Sequence, residues 1–194
     1  MTETSLSLLA ALRVAPNEES WRRLVDLYTP LIRGWLRRQG MANQDADDVV
    51  QDVLAVVVRR MAEFERQPQI GSFRSWLRTI TVNCLRDFWR SPKTKPLATG
   101  SSDLQKMLDE LQDPHSGISR LRNEEHDRHV TQRLLEMIEP QFEPKTWLAF
   151  QRVAVEGARA SDVAAELGMT VNAVFIAKSR VLTKLREEGR GLID

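Results

Sequence analysis

Asn172, Lys178, Arg180 and Lys184 share one side of a segment whose other side carries Val174, Ala177, Val181 and Leu185 at the spacing of one buried stripe. Amide and cationic side chains on one helical side can pair with phosphates and hydrogen-bond base edges, which is the chemistry of duplex DNA binding. A second group, Asp47, Asp48, Gln51 and Asp52, gathers acid and amide on a narrow helical face. Asp48 and Asp52 stand four apart and repel slightly, so helix stability does not explain them. The macrodipole accounts for part of such a cluster at a helix N-terminus; the other reading is a docking face for a basic or amide-rich partner. A third group, Arg74, Arg78, Asn83, Arg86, Asp87 and Arg90, ends beside Phe88 and Trp89. Guanidinium groups interleaved with aromatic rings suit single-stranded nucleic acid, whose bases stack and whose phosphates pair with cations. Phe73 and Trp76 fit burial better, while Trp89, next to Ser91-Pro92, fits burial and base contact equally.

The elements that must position these groups are all helices. Ser161 can cap a short helix with Val163, Ala164 and Leu167 on one side, and Gly168 supplies the positive φ of a tight turn. Met169 covers the junction and Thr170 caps the second helix. Ala164 is small enough to let two helices cross steeply. The pattern predicts a helix-turn-helix; an ordinary helical hairpin with a solvated basic face is the plainer alternative. The acidic group lies on a helix over 45–64, and the third group lies on one over 72–90, whose apolar stripe is Phe73, Trp76, Leu77, Ile80 and Cys84. Further helices are expected over 5–13, 20–39, 119–138, 144–156, 161–167 and 171–188, and no period-two run argues for a strand. The class is all-α, as two small helical domains joined by a flexible linker. Breaks are expected at Gln67–Gly71, at Ser91–Ser102 and at Asp113–Gly117, with a short apolar-and-acidic helix over Leu104–Leu111. The boundaries fall at 1–93, 94–124 and 125–194.

A chain of 194 residues, 42% hydrophobic and 28% charged, has room for two compact modules. Cys84 is the single cysteine and cannot form an intramolecular disulfide, which favours a reducing, cytoplasmic setting. No apolar run has the length of a membrane span, and the start of the chain carries acid where a signal peptide has basic residues. The net charge of +1 conceals an alternation: +4 over 21–40, −4 over 41–65 and +6 over 66–95. Such a chain should bind DNA weakly alone, since few phosphates are neutralised together and acidic surfaces repel them. A second partner is implied.

With these motifs assembled, the chain resembles bacterial RNA polymerase sigma factors, specifically the small two-domain extracytoplasmic-function (ECF) group, over roughly 21–93 and 125–188. DADDVVQDVL is similar to that family's core-binding helix, GSFRSWLRTITVNCLRDFWR to its segment that opens and reads the −10 element, and the C-terminal hairpin to its −35 reader. The resemblance implies promoter-specific transcription initiation with core RNA polymerase and promoter DNA as partners, and often control by an anti-sigma factor. It places Asp47, Asp48, Gln51 and Asp52 against the polymerase. It places Gln67 and Phe73, in the loop that holds the flipped −10 base, with Arg74, Arg78, Asn83, Arg86, Asp87 and Arg90 along the strand. It brings Thr170, Asn172, Phe175, Lys178, Ser179, Arg180 and Lys184 to the −35 duplex. One departure stands out: Phe175, Ile176 and Ala177 occupy positions where the family commonly has polar or basic residues. Apolar groups can meet thymine methyls or a protein surface but donate no hydrogen bonds, so the −35 preference is not readable from them.

Rival functions fare less well. His126 and His129 stand three apart in an expected helix with His115 upstream, but no cysteine or further histidine joins them, so solvated histidines are favoured over a metal site. No P-loop, nucleophile elbow or convergent carboxylates point to an enzyme, a cofactor or a small-molecule substrate. A stand-alone helix-turn-helix regulator explains the C-terminal half and leaves the N-terminal half without a role.

Overall fold

A computed structural model describes residues 7–64, 72–91 and 117–193. Gln67 with its loop, and the short helix expected over Leu104–Leu111, lie outside them. The described residues form α-helices and short 3₁₀ or π turns, with no strand among them. They pack as two units, one built on Leu8–Val130 and the other on Thr131–Arg190. The first unit therefore reaches six residues past the boundary read at 124.

In the first unit, α1 (Leu8–Val14) precedes α2 (Glu18–Arg38), which opens on a reciprocal cap. The Asn17 side chain accepts from the Ser20 N–H at 2.8 Å, and Ser20 Oγ accepts from the Asn17 N–H at 3.1 Å. Pro30 lies inside α2 and removes one backbone donor. The helix persists through it because Leu24, Leu27, Tyr28, Leu31, Ile32, Trp35 and Leu36 bury one continuous face. Gly40, at φ +77°, makes the turn into α3 (Asn43–Arg60), which buries Ala46, Val49, Val50, Val53 and Val57. The helix expected to run to residue 64 ends as α at Arg60 and tightens into a 3₁₀ turn over Met61–Glu63. α4 (Ser72–Arg90) has the expected bounds. Its Phe73 ring sits 5.4 Å from Tyr28, 5.5 Å from Phe64 and 5.7 Å from Trp76, at the centre of an aromatic cluster.

α5 (Gly117–Ile138) buries His126, Val130, Leu134 and Ile138, an i, i+4 stripe along one face. Its later half belongs to the second unit, where Ile138 packs with Phe150 and Val181. There α6 (Pro144–Phe150) runs into a π turn over Gln151–Val155, where the sequence pattern predicts an unbroken helix. α7 (Ala160–Leu167) and α8 (Val171–Gly189) turn through 103°. Val163, Ala164, Val174 and Ala177 close the crossing with Ala149. No single described helix is long and apolar enough to cross a membrane.

Candidate nucleic-acid interface

The helix-turn-helix is built as its sequence predicts, with one correction. Gly168 adopts the left-handed conformation at φ +59°, and the Met169 N–H reaches back to the Ala164 carbonyl at 2.9 Å, closing α7. Thr170 Oγ1 accepts from the Ala173 N–H at 3.1 Å and caps α8. Ser161 does not cap: α7 begins one residue earlier, at Ala160, and the Ser161 hydroxyl instead donates to Asp162. Val174, Ala177 and Val181 are buried, and Leu185 is half-buried in the adjoining cluster. This leaves Asn172, Phe175, Ile176, Ser179, Arg180 and Thr183 facing outward. Ser179, Arg180, Thr183 and Lys184 line a shallow hollow with Gln141 and Phe142. Lys184 is half-buried and pairs with buried Glu188 at 2.8 Å, so its charge is met within the module. Lys178 is half-buried.

On α3, Asp48, Gln51 and Asp52 are exposed on one face. Asp47 is half-buried and takes Arg33 of α2 at 2.5 Å, which ties two bundle helices together and removes part of its charge from the face.

The basic side of α4 divides in two. Asn83, Asp87 and Arg90 are exposed, with half-buried Arg86 on the same strip. Arg74 and Arg78, expected on a solvent side, are only 9% exposed, because the leading half of α5 covers them. Arg74 Nη1 donates to both Asp127 oxygens, at 2.7 and 2.9 Å, and Arg78 donates to Asn123 Oδ1. Beneath Asp127, His126 is fully buried: its Nδ1 lies 2.9 Å from Asp127 and its Nε2 3.4 Å from the Tyr28 hydroxyl. A carboxylate only accepts, so Nδ1 donates to Asp127 and Nε2 accepts from Tyr28. Two further ties bind α5 to α2: His129 Nε2 donates to the Leu27 carbonyl at 2.8 Å, and Arg38 pairs with Glu125 at 2.7 Å. The expectation of solvated histidines is thus overturned at His126 and His129, which hold a helix interface. No cluster of three metal-ligating side chains occurs among the described residues.

Burial sets the electrostatics of this seam. Desolvation lowers the His126 pKa below its ordinary value and keeps the ring neutral, although the hydrogen bond to Asp127 works the other way. Burial alone would raise the Asp127 carboxyl, but hydrogen bonds from His126 and the charge of Arg74 outweigh it and hold it low. Desolvation raises the Tyr28 phenol far above its usual range. Arg78 is lowered by burial and by Arg74; Arg122 is pushed down to about 10 by burial and by Arg38.

Phe73 is wholly enclosed in the aromatic cluster, so it packs, and direct strand contact would require the core to open. Trp89 is half-buried with its indole N–H enclosed and without a partner among the described residues. Sequence reasoning missed Tyr28, Asn123 and Asp127, and it took His126 for a solvated side chain. The available signal was the stripe His126, Val130, Leu134, Ile138, which puts the histidine in line with three core residues.

A bundle with an exposed acidic face, followed in the same chain by a helix-turn-helix, defines a class that comparison with known proteins then places. Residues 24–94 match the Sigma-70 region 2 family. A "Probable RNA polymerase sigma factor RfaY" of Xanthomonas campestris pv. campestris is 30% identical over 143 residues, 74% of this chain and 34% of that protein. The "RNA polymerase sigma factor CnrH" of Cupriavidus metallidurans is 28% identical over 97 residues, 50% of this chain and 49% of that protein. The matches thus span about a third and about half of those relatives' own lengths. A solved structure, "CnrH in complex with the cytosolic domain of CnrY", aligns at 23% identity and a TM-score of 0.38 over 92% of each chain. Residues 24–94 therefore carry a sigma-70 region 2, and over longer stretches the chain is similar to these two RNA polymerase sigma factors.

Proposed function

We propose that this chain is a promoter-specificity subunit that joins core RNA polymerase and directs initiation through −10 and −35 elements. The observation that carries the reading is the order of parts: a sigma-70 region 2 over 24–94 and, downstream in the same chain, a helix-turn-helix with a capped outer helix. Residues 1–93 take polymerase binding and −10 capture, 94–124 the connection, and 125–194 the −35 duplex, with α5 also packing on the first module. Asp48, Gln51 and Asp52 offer the docking carboxylates and amide, with Asp47 behind them. Asn83, Arg86, Asp87 and Arg90 form the accessible strand-facing strip. Arg74 and Arg78 join it when α5 withdraws.

Magnitudes favour a dependent subunit. Opening about ten base pairs costs on the order of 14 kcal/mol at about 1.4 kcal/mol per stacking step, whereas each base captured on a ring returns about 1–3 kcal/mol. One helix cannot supply the difference, and a large partner can. An anti-sigma protein is a natural regulator of such a subunit; the relative CnrH is itself seen in complex with the cytosolic domain of CnrY.

The test is run-off transcription with purified core polymerase across a genomic promoter library. The chain should convert core enzyme into one that initiates at a defined set of sites. Tight duplex binding by the free chain, with no effect on the polymerase, would replace this reading with that of a stand-alone regulator.

A further inference from the structure

We infer that Phe175 and Ile176 are base-reading residues whose ligand is the 5-methyl group of thymine, so that the duplex element this chain selects is rich in A·T pairs where α8 enters. The inference rests on the proposed duplex-reading role of α8 and adds to it the identity of the bases.

Phe175 and Ile176 are 53% and 51% exposed, adjacent, and on the outward face of α8. On the face that the proposed reading turns to DNA, these two large apolar side chains are the groups able to make apolar contact with base edges. Their neighbours are Asn172, Ser179, Arg180 and Thr183, with no acid on that face before Glu187. One cation, an amide and two hydroxyls beside two apolar side chains suit an occupant that carries anionic groups, exchanges hydrogen bonds and offers apolar contacts. Among base edges in the major groove, the thymine methyl is the apolar feature, and aromatic or aliphatic side chains meet it by contact. Asn172 stands one turn before Phe175 and Ile176 and can pair in bidentate fashion with the N6 and N7 of adenine, thymine's own partner, so amide and apolar pair read the same type of base pair. The near-perpendicular α7–α8 crossing and the Thr170 cap hold the leading turn of α8, and with it the pair, in one orientation on the module.

The test uses the chain assembled with core polymerase and the tightest duplex recovered by selection, with each thymine of the upstream element replaced in turn by deoxyuridine, which removes the methyl alone. At one or two positions, the loss should weaken retention about three- to fourfold, the value of one buried methyl. The Phe175→Ala, Ile176→Ala double variant should be indifferent to the same replacement. Its salt dependence should match the wild type, because no phosphate contact is lost. Both side chains are exposed, and circular dichroism checks that the variant folds. Wild-type retention that ignores deoxyuridine at every position overturns the inference while leaving duplex binding standing. Absence of retention on any duplex overturns the duplex reading beneath it.

Discussion

His126 has a polar ring sealed from water, neutral, and fixed between a phenol that donates to it and a carboxylate that accepts from it. In the unfolded chain the same ring takes a proton near pH 6.5. Its folded pKa is lower, so between the two values the unfolded state binds more protons and stability falls as the pH falls. Asp127, held below the usual carboxylate range, stays ionised across that window and adds nothing to the slope. The stability of the N-terminal unit, read from its thermal midpoint, should therefore drop on going from pH 7.5 to 5.5, by up to about 1.4 kcal/mol per pH unit, and His126→Gln should flatten the dependence. A midpoint unchanged over that range would mean that the imidazole takes its proton at the same pH folded and unfolded. At the same seam, Asp127→Ala leaves the Arg74 guanidinium without its carboxylate. It should cost about 1.5–3 kcal/mol, with faster amide exchange over residues 123–130 as the readout. Cys84 illustrates a quieter effect: burial, with Asp52 and Asp87 nearby, pushes its thiol up to about 11. Alkylation at neutral pH should be slow.

At the scale of elements, the helix-turn-helix shows which features a one-dimensional pattern carries. Thr170, Gly168 and the stripe Val174, Ala177, Val181 were legible because each is local: a cap, a left-handed glycine and a period of 3.6 residues. Removing the cap with Thr170→Ala should cost about 1 kcal/mol, measurable as a lower unfolding midpoint of the C-terminal unit. The bounds of α4 were likewise readable, but its surroundings were not. Its two-sided burial depends on α5, whose Asn123 and Asp127 lie 45 and 53 residues away from Arg78 and Arg74. No periodicity within α4 announces a cover from so far along the chain, and arginines on the side opposite an apolar stripe read as solvated until the covering helix is placed. The same reasoning applies to Ser161, whose residue type suits a cap while the turn geometry starts the helix one position earlier.

For the whole molecule, the segregation of charge is the main feature. The acidic face of α3 and the basic strip of α4 belong to one unit, so the module has two surfaces suited to opposite partners. Reversing the first, with Asp48→Arg and Asp52→Arg, should abolish association with core polymerase while leaving the unfolding transition intact, because both side chains are exposed. Undiminished association would move the docking site elsewhere. Arg180→Ala belongs to this scale too, since its effect is on long-range attraction. It should weaken duplex binding across sequences and reduce the salt slope by about one unit.

The grip of Asp127 on Arg74 has one more consequence. A guanidinium at 2.7 Å from a carboxylate has no room for a phosphate in the same place, so strand and helix compete for it as rivals for a single seat. On the proposed reading, a nucleotide that settles on Arg74 must first evict α5. The free energy of that eviction is subtracted from whatever affinity the Arg74 contact adds, which makes that contact discriminating by being reluctant.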